Sequence, residues 1–294
     1  SAASDVYKRQ EGNKVYVENI FVSGNEKTRE NVIRRELKLY PGDVFSRSKL
    51  MRSQRDIWIL NYFDNVIPDV TPISDDKVNL DFVVEEKKST QRINANLGFT
   101  GEYGITGGAG VEFDNFRGKG QKLNIGASTG TNFSIYTTQE PSKYRSLNIS
   151  FQDPMINDSP YLVGASIFYS FRGSSTNYYF PLDFTVGGAV ASFGRRLEWP
   201  DDFFRVMWSA KFMQKEYEGS QSDIDNYIGG LQKTRGISLS QVLSRDSRNR
   251  AEFPTNGSTF ILENTYSGGF LGGNENFQKH MLTLDWFTPT FSKF

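Results

Sequence analysis

The sequence contains no cysteine and only one histidine, His280. Without cysteine the chain can form no disulfide and carry out no thiolate chemistry, although an exported location remains open to it. A lone histidine cannot make a transition-metal site with a second histidine or a cysteine, and a Ser-His-Asp triad would depend on that same residue. The sequence therefore predicts no metal, no cofactor and no enzymatic activity.

Long apolar runs are also missing. Mean hydropathy is −0.51, and no run reaches the roughly 18 apolar residues that a transmembrane helix needs. This test does not apply to a membrane β-barrel, because half of its residues face a wet lumen. Lys and Arg number 34 and Asp and Glu number 34, so there is no basic excess to attract nucleic acid. We expect neither a nucleic-acid partner nor a small-molecule substrate.

The composition changes near Arg92, which suggests two domains. Residues 12–91 are rich in Lys, Arg and Glu, whereas residues 92–294 are rich in Gly, Asn, Ser, Thr, Phe and Tyr. Residues 1–11 match nothing downstream, and we expect a non-native or disordered leader there. The last residues, FTPTFSKF, stop inside a strand-like pattern. We therefore expect a fragment that is cut at both ends.

The sequence pattern of residues 12–91 predicts a small β-α-α-β-β unit. Alternating apolar residues in VYVENIFVSGN, with Val17 and Phe21 on one side, predict a strand that ends at Gly24-Asn25. Thr28 is expected to cap a helix over 29–39, and Ser46 is expected to cap a second helix. Two strands are predicted over 66–73 and 78–85, separated by a polar turn.

After Arg92 the sequence repeatedly alternates apolar and polar residues, as in 92–99, 122–127 and 147–152. Such alternation fits a soluble β-sandwich as well as a membrane barrel. The polar face is mostly uncharged, and short turns such as Trp199-Pro200 alternate with longer loops such as 216–226, which favours the barrel. About 200 residues at about 20 per strand and loop predict about ten strands.

Several motifs resemble a known family. The segments IFVSGNEKTRENVIRREL, YPGDVFSRSKL and VNLDFVVEEK resemble the last POTRA domain before the barrel in the BamA family of outer-membrane assembly factors. DNFRGKGQKLN and FQDPMINDSPYLVGASIFYSFR resemble strand-turn-strand elements of that family's barrel, in the expected order. The resemblance implies an α+β POTRA domain followed by an all-β antiparallel transmembrane β-barrel, incomplete at about ten of roughly sixteen strands.

The resemblance also implies a function. Members of the family fold unfolded β-barrel clients and insert them into the outer-membrane bilayer of Gram-negative bacteria, with the POTRA domain in the periplasm and with accessory lipoproteins as partners. The matching lipoprotein contact here is Arg35 with Glu36. Client strands are expected to pair at the POTRA sheet edge and at the first barrel strand, which meets the last strand at a seam. The strand positions are Ile93, Asn94, Ala95, Asn96, Leu97, Gly98 and Phe99.

Other interpretations stay open from the sequence. Arg35 and Glu36 also fit a solvated charged helix face, the POTRA edge could be protected by charge, and the first strand could be an ordinary barrel strand. A related POTRA-barrel transporter that secretes a partner polypeptide is the main alternative function. A β-barrel enzyme or a passive porin with a periplasmic appendage is a further alternative. A barrel lipase or protease needs a His-Ser or an Asp-His pair in the barrel, and this segment does not show one.

Overall fold

The computed structural model describes residues 14–100, 104–131, 143–174, 180–201, 203–248 and 254–289. The expected leader at residues 1–11 lies outside these ranges. The chain divides into two compact units. The first unit runs to Thr90 and also includes the four residues Arg117–Gly120, whereas the second contains Gln91–Phe116 and the residues from Gln121 onward.

The first unit is an α+β domain in the order β-α-α-β-β, which confirms the predicted fold class. Its elements are β1 (Tyr16–Ser23), α1 (Glu30–Arg34), α2 (Arg47–Ile59), β2 (Phe63–Ser74) and β3 (Lys77–Glu86). β3 is the central strand: it pairs in parallel with β1 and antiparallel with β2. None of the helices in the described ranges has the length and apolarity needed to span a bilayer.

One apolar core holds this unit together. Alternate residues of β3, from Val78 to Val84, are buried beneath the helices, as the period of a strand requires. Phe82 is 1% exposed, and Ile57 of α2 and Ile33 of α1 are fully buried. The other buried apolar residues of the cluster are Val17, Ile20, Val32, Leu37, Leu39, Leu50, Tyr62, Phe63, Val66 and Leu80.

The first helix differs from its prediction. α1 ends at Arg34 rather than near residue 39, because the amides of Glu36 and Leu37 bond to carbonyls three residues back, in tighter turns than an α-helix makes. Leu37 and Leu39 are still buried. The apolar residues that suggested a longer helix therefore pack into the core from these turns instead of from a helix. Thr28 is not the helix cap: Arg29 holds that position, and no side chain caps it.

The side-chain faces of β1 also differ from the predicted alternation. Its pairing register with β3 shifts between Val17 and Asn19. A bulge of this kind moves the following residues to the other face. Val17 and Ile20 are consequently both buried, whereas Phe21 is 50% exposed.

In the described residues the second unit is a ten-stranded antiparallel sheet, in agreement with the predicted number of about ten strands. Its strands follow one another in chain order, and β4 and β13 form the two ends of the sheet. They are β4 (Gln91–Thr100), β5 (Gly104–Phe116), β6 (Gln121–Thr131), β7 (Lys143–Asp153), β8 (Tyr161–Arg172), β9 (Asp183–Arg196), β10 (Phe204–Glu218), β11 (Lys233–Asp246), β12 (Gly257–Ser267) and β13 (Phe277–Phe287). Strands of 10 to 15 residues are long enough to cross a bilayer when tilted.

The two faces of this sheet differ in polarity along whole rows of paired residues. One row is apolar on eight successive strands: Ile93, Val111, Ile125, Ile149, Ile167, Ala189, Phe212 and Ile237. A row on the opposite face, three residues further along each strand, begins with Asn96, Gly108, Ser128, Ser146 and Ser170. Such an apolar face opposite a largely polar face is typical of an outer-membrane barrel.

The strand connections differ between the two ends of the sheet. At one end, short turns join β5 to β6 and β9 to β10. At the other end, the β10–β11 connection carries a helix, α3 (Gln221–Ile228), whose Ile224 is buried. At the short-turn end, the Arg245 guanidinium bonds to the Asp201 carboxylate at 2.8 Å and to the Ser258 hydroxyl at 3.2 Å. Arg245 of β11 therefore links the β9–β10 connection to the start of β12.

Candidate functional site

β4 forms an edge of the large sheet. Within the described residues it pairs with β5 alone. Every residue from Gln91 to Phe99 is exposed, and the exposed fractions reach 79% for Ile93 and 83% for Leu97. An edge strand has a row of unpaired backbone N–H and C=O groups that can accept another strand.

The side-chain contacts between β4 and β5 are sparse. Across from Asn94, Ala95, Asn96 and Leu97 lie Gly110, Ala109, Gly108 and Gly107. Cross-strand side-chain pairs provide much of the stability of a sheet, and glycine has no side chain to contribute. This part of β4 is therefore held mainly by backbone hydrogen bonds.

The polar side of the same region forms an open concavity of about 440 Å³. Its lining includes Asn94 and Asn96 of β4, and Ser128, Ser146 and Asn148 of the next strands. Glycines make the space: a Cβ added to Gly108 would lie 2.5 Å from the Asn96 amide oxygen. The concavity is uncharged and holds hydrogen-bonding groups but no catalytic pair.

The first residues of β4 are anchored by charge. The Arg92 guanidinium lies 2.9 Å from the Glu112 carboxylate and 2.8 Å from the Asp114 carboxylate. Asp114 is buried, and it also lies 3.6 Å from the Lys122 ammonium. β4 therefore starts from a network of ion pairs on β5 and β6 and continues into a loosely packed stretch.

Arg35 and Glu36 lie inside the first unit. The exposed fractions of their side chains are 7% and 10%, and the Arg35 Nε lies 4.0 Å from a Glu36 carboxylate oxygen. The alternative of a solvated charged face is therefore wrong. Access of a partner to these two side chains depends on what covers them.

The turn Arg117–Gly120 contacts the segment around α1. The Arg29 amide donates a hydrogen bond of 2.9 Å to the Gly118 carbonyl oxygen. The Tyr62 hydroxyl donates one of 3.3 Å to the Gly120 carbonyl oxygen. Sequence reasoning missed this contact. Its only signal was the pair of glycines in FRGKGQ, which permit a tight turn with close backbone approach.

The segment before α1 is held by Glu86 at the end of β3. The Glu86 carboxylate accepts the Lys27 amide at 2.8 Å and the Thr28 amide at 2.6 Å, and the Thr28 hydroxyl also bonds to it. Burial alone would raise the pKa of Glu86, but these hydrogen bonds and the nearby Lys27 charge outweigh burial and lower the pKa. The Arg29 amide bonds to the Gly118 carbonyl oxygen, so the three successive amides of residues 27–29 all donate to acceptors in distant parts of the chain.

The Glu86 contacts predict a pH-dependent stability. Because its folded-state pKa is lowered, the stabilisation is fully present above the unfolded value near 4.5 and is lost as the pH falls from there through the folded pKa. Glu86→Gln should lower the free energy of unfolding of this unit by about 1–3 kcal/mol at pH 7. Hydrogen exchange of peptides covering 27–35 in the full chain, at pH 7 and near pH 3.5, measures both effects. An equal loss at the two pH values would contradict this account.

The structure offers no catalytic arrangement around His280. Its Nδ1 lies 2.9 Å from the Asn264 side-chain oxygen on the neighbouring strand, at an exposed position. Across the described ranges, no group of three or more His, Asp or Glu side chains could hold a metal ion. The β4 edge and the Arg35–Glu36 region are the two candidate functional features.

Two family models match the chain. Residues 15–87 match the POTRA model, described as a surface antigen variable number repeat. Residues 115–294, more than half of the chain, match the Omp85 superfamily domain.

Curated relatives carry BamA names. The chain is 30% identical over 284 residues to "Outer membrane protein assembly factor BamA" of Nitratidesulfovibrio vulgaris, covering 93% of this chain and 32% of the relative. It is 39% identical over 119 residues to the BamA protein of Neisseria meningitidis serogroup B, covering 40% of this chain and 15% of the relative. The chain thus spans about a third or less of the length of these relatives.

Solved structures share the fold. BamA from Haemophilus ducreyi lacking POTRA domains 1–3 aligns with a TM-score of 0.64 at 20% identity, covering 87% of this chain and 49% of that one. CdiB from Acinetobacter baumannii aligns with a TM-score of 0.56 at 15% identity, covering 92% and 48%. The POTRA match, the antiparallel sheet and the BamA relatives lead to one conclusion. The chain belongs to the Omp85 superfamily, as a BamA-family protein of the Gram-negative outer membrane with its POTRA domain in the periplasm.

Proposed function

We propose that the chain acts in folding and inserting unfolded β-barrel proteins into the outer membrane, and that an incoming client strand pairs with the edge of β4. The observation that carries the proposal is that, among the residues that the structure describes, β4 pairs with β5 alone and has glycine opposite Asn94, Asn96 and Leu97. The BamA relatives support an assembly role. In this proposal no covalent bond is formed or broken. The activity requires only a strand edge with unpaired backbone groups and a lipid bilayer.

The β4 sequence suits such a client. Ile93, Leu97 and Phe99 continue the apolar face of the sheet, whereas Asn94 and Asn96 continue its polar face. A client barrel strand alternates in the same way. Pairing with β4 would therefore give each client side chain the environment that it has in its own barrel, while its backbone groups gain partners that hydrocarbon cannot supply.

The POTRA sheet edge is a weaker candidate for client pairing. β2 carries Pro68 and Pro72, which have no amide to donate. On β1, the Val17 amide and carbonyl are bonded to residues 42–43, and the Ile20 carbonyl accepts the Arg34 guanidinium. Both POTRA edges are thus partly protected, so β4 is the stronger of the two pairing edges that the sequence suggested.

The lipoprotein contact at Arg35 and Glu36 remains part of the proposal. Their burial means that a partner reaches the two side chains only after a local rearrangement, or else binds the backbone and side chains around them. The transporter alternative rests on fold likeness to CdiB at 15% identity, which does not favour it over assembly.

Crosslinking tests the β4 edge. The chain has no cysteine, so Leu97→Cys and Phe99→Cys each introduce a single thiol at the proposed edge. The chain in detergent micelles is mixed with an unfolded outer-membrane β-barrel protein that carries single cysteines along its last strand. We expect each β4 thiol to crosslink to one client position, with the client position moving by two residues between the two variants, as a β ladder requires.

The matched control is Ile167→Cys on β8. Ile167 is exposed on the same apolar face, but β8 is paired on both sides. We expect about tenfold less crosslinked product there, because no backbone edge is available. Equal crosslinking at Leu97 and Ile167, or crosslinks without a register, would contradict strand pairing at β4.

A further inference from the structure

We propose that Arg195 and the aromatic row beside it form a binding site for an anionic phospholipid of the periplasmic leaflet. The aromatic row consists of Tyr161, Phe193 and Trp208, which lie on β8, β9 and β10. The inference goes beyond the proposed assembly role and does not depend on it. It requires only that the large sheet lies in the outer membrane.

Arg195 lies on the apolar face of the large sheet, at the end with short turns. It follows Ala189 by six residues on the same strand, and residues at even separations along a strand share a face. Ala189 belongs to the apolar row that crosses eight strands. Arg195 also comes just before the β9–β10 turn, and the short turns of outer-membrane barrels are periplasmic. Arg195 is therefore placed at the periplasmic rim of the lipid-facing surface.

The three rings of the aromatic row are stacked side by side. The ring centroids of Tyr161 and Phe193 are 5.5 Å apart with an interplanar angle of 23°, and those of Phe193 and Trp208 are 6.1 Å apart at 19°. Phe193 and Trp208 are both more than 40% exposed. Aromatic side chains are enriched at membrane interfaces, and this row offers a continuous apolar surface to an acyl chain.

Arg195 is an exposed cation without an acidic partner among the residues that the structure describes. Its Cζ lies 5.3 Å from the centroid of the Tyr161 ring, which fixes the guanidinium beside the aromatic row. Asp201, in the following turn, is paired with Arg245 instead. Arg245 is thus neutralised on the same face, whereas the charge of Arg195 is available to an anion from outside the sheet.

These two features determine the class of ligand. A guanidinium binds a phosphate group through two parallel hydrogen bonds, and the exposed rings would contact the acyl chain that follows the phosphate. A lipid with net negative charge is favoured over a zwitterionic lipid, whose amine would lie close to the arginine and be repelled by it. An inorganic phosphate ion would make no use of the rings.

Quenching of Trp208 fluorescence by brominated lipids tests the site. The chain has four tryptophans, and Trp58→Phe, Trp199→Phe and Trp286→Phe together leave Trp208 as the single emitter in the full chain. Detergent micelles contain either brominated phosphatidylglycerol or brominated phosphatidylcholine at the same mole fraction. We expect the apparent association constant at Trp208 to be about fivefold higher for phosphatidylglycerol, the effect of one basic side chain at an anionic surface.

Three substitutions in this single-tryptophan chain locate the effect. Arg195→Gln should reduce the ratio of the two association constants to about one, because it removes the charge. Arg145→Gln is the matched control, since Arg145 is exposed on the same face but at the opposite end of the sheet, and it should leave the ratio unchanged. Tyr161→Leu keeps the charge but removes the ring against Arg195, and it should lower the ratio by about twofold.

Each outcome decides the question. Equal quenching by the two lipids before any arginine is changed would overturn the site. Equal loss of selectivity in Arg195→Gln and Arg145→Gln would also overturn it, because net charge alone would then explain the preference. The Trp208 emission maximum in phosphatidylcholine micelles reports whether the sheet stays folded. If Arg195→Gln unfolds the sheet, the Tyr161→Leu ratio decides, and an unchanged ratio there would overturn the site. No client protein is present, so failure of the assembly role would not alter these results.

Discussion

Phe82→Ala is expected to lower the free energy of unfolding of the POTRA domain by about 3–5 kcal/mol, which is typical for truncation of a buried phenylalanine. Phe82 lies on the central strand β3 and is 1% exposed. Its ring lies in the cluster that includes Leu80 and Ile57, so the lost volume would leave a cavity bordered by both strand and helix residues. A small domain has little stability in reserve, and such a loss would leave the unit partly unfolded.

The adjacent residue gives a matched control. Val83 lies on the same strand but on its other face, with 42% of its surface exposed. Val83→Ala should lower the free energy of unfolding by less than about 1 kcal/mol. Hydrogen exchange of the β2 and β3 peptides in the full chain measures both variants under the same conditions. If Phe82→Ala lost no more stability than Val83→Ala, the cluster would not be the core of this unit.

Gly24→Ala is expected to destabilise the same domain by about 2–5 kcal/mol, from backbone strain and steric overlap together. Gly24 follows β1 with a φ of +87°, a region that side chains rarely adopt. A Cβ added there would overlap the Val84 carbonyl oxygen of β3. Because that atom belongs to the backbone of the central strand, relief of the overlap would require the end of β1 to move away from β3.

Gly42→Ala separates the two contributions. Gly42 has nearly the same φ, +92°, but nothing lies within 4 Å of an added Cβ. We expect it to lose only the strain contribution, about 1–2 kcal/mol. Amide exchange of peptides from β1 and β3 compares the two variants. Equal losses would mean that strain alone acts, and that the close approach of Gly24 to β3 adds nothing.

The large sheet could be predicted from the sequence because its signal is local. Along β4, Ile93, Leu97 and Phe99 alternate with polar residues, and the same period recurs in the later strands. Each repeat can be recognised without knowledge of its neighbours. The number of strands and the face that each residue occupies follow from that period together with the length of the chain.

The details of the POTRA domain could not be predicted in this way. The bulge between Val17 and Asn19 exchanges the faces of β1, so that Ile20 is buried and Phe21 is exposed, and no local pattern in the sequence indicates it. The spacing of the apolar residues from Val32 to Leu39 is compatible with a helix that ends at Arg34 and with one that ends later. Tertiary packing determines where the helix ends. The burial of Arg35 depends on residues more than 80 positions away, which no local pattern records.

The placement of Arg117–Gly120 within the first unit has a consequence for the order of folding. During synthesis and export, the chain up to Thr90 contains every strand and helix of the POTRA domain but not the turn that accepts the Arg29 amide and the Tyr62 hydroxyl. The domain can therefore collapse early but reaches its final form only after the β5–β6 hairpin has emerged. A POTRA fragment that stops at Thr90 lacks four residues of its own compact unit.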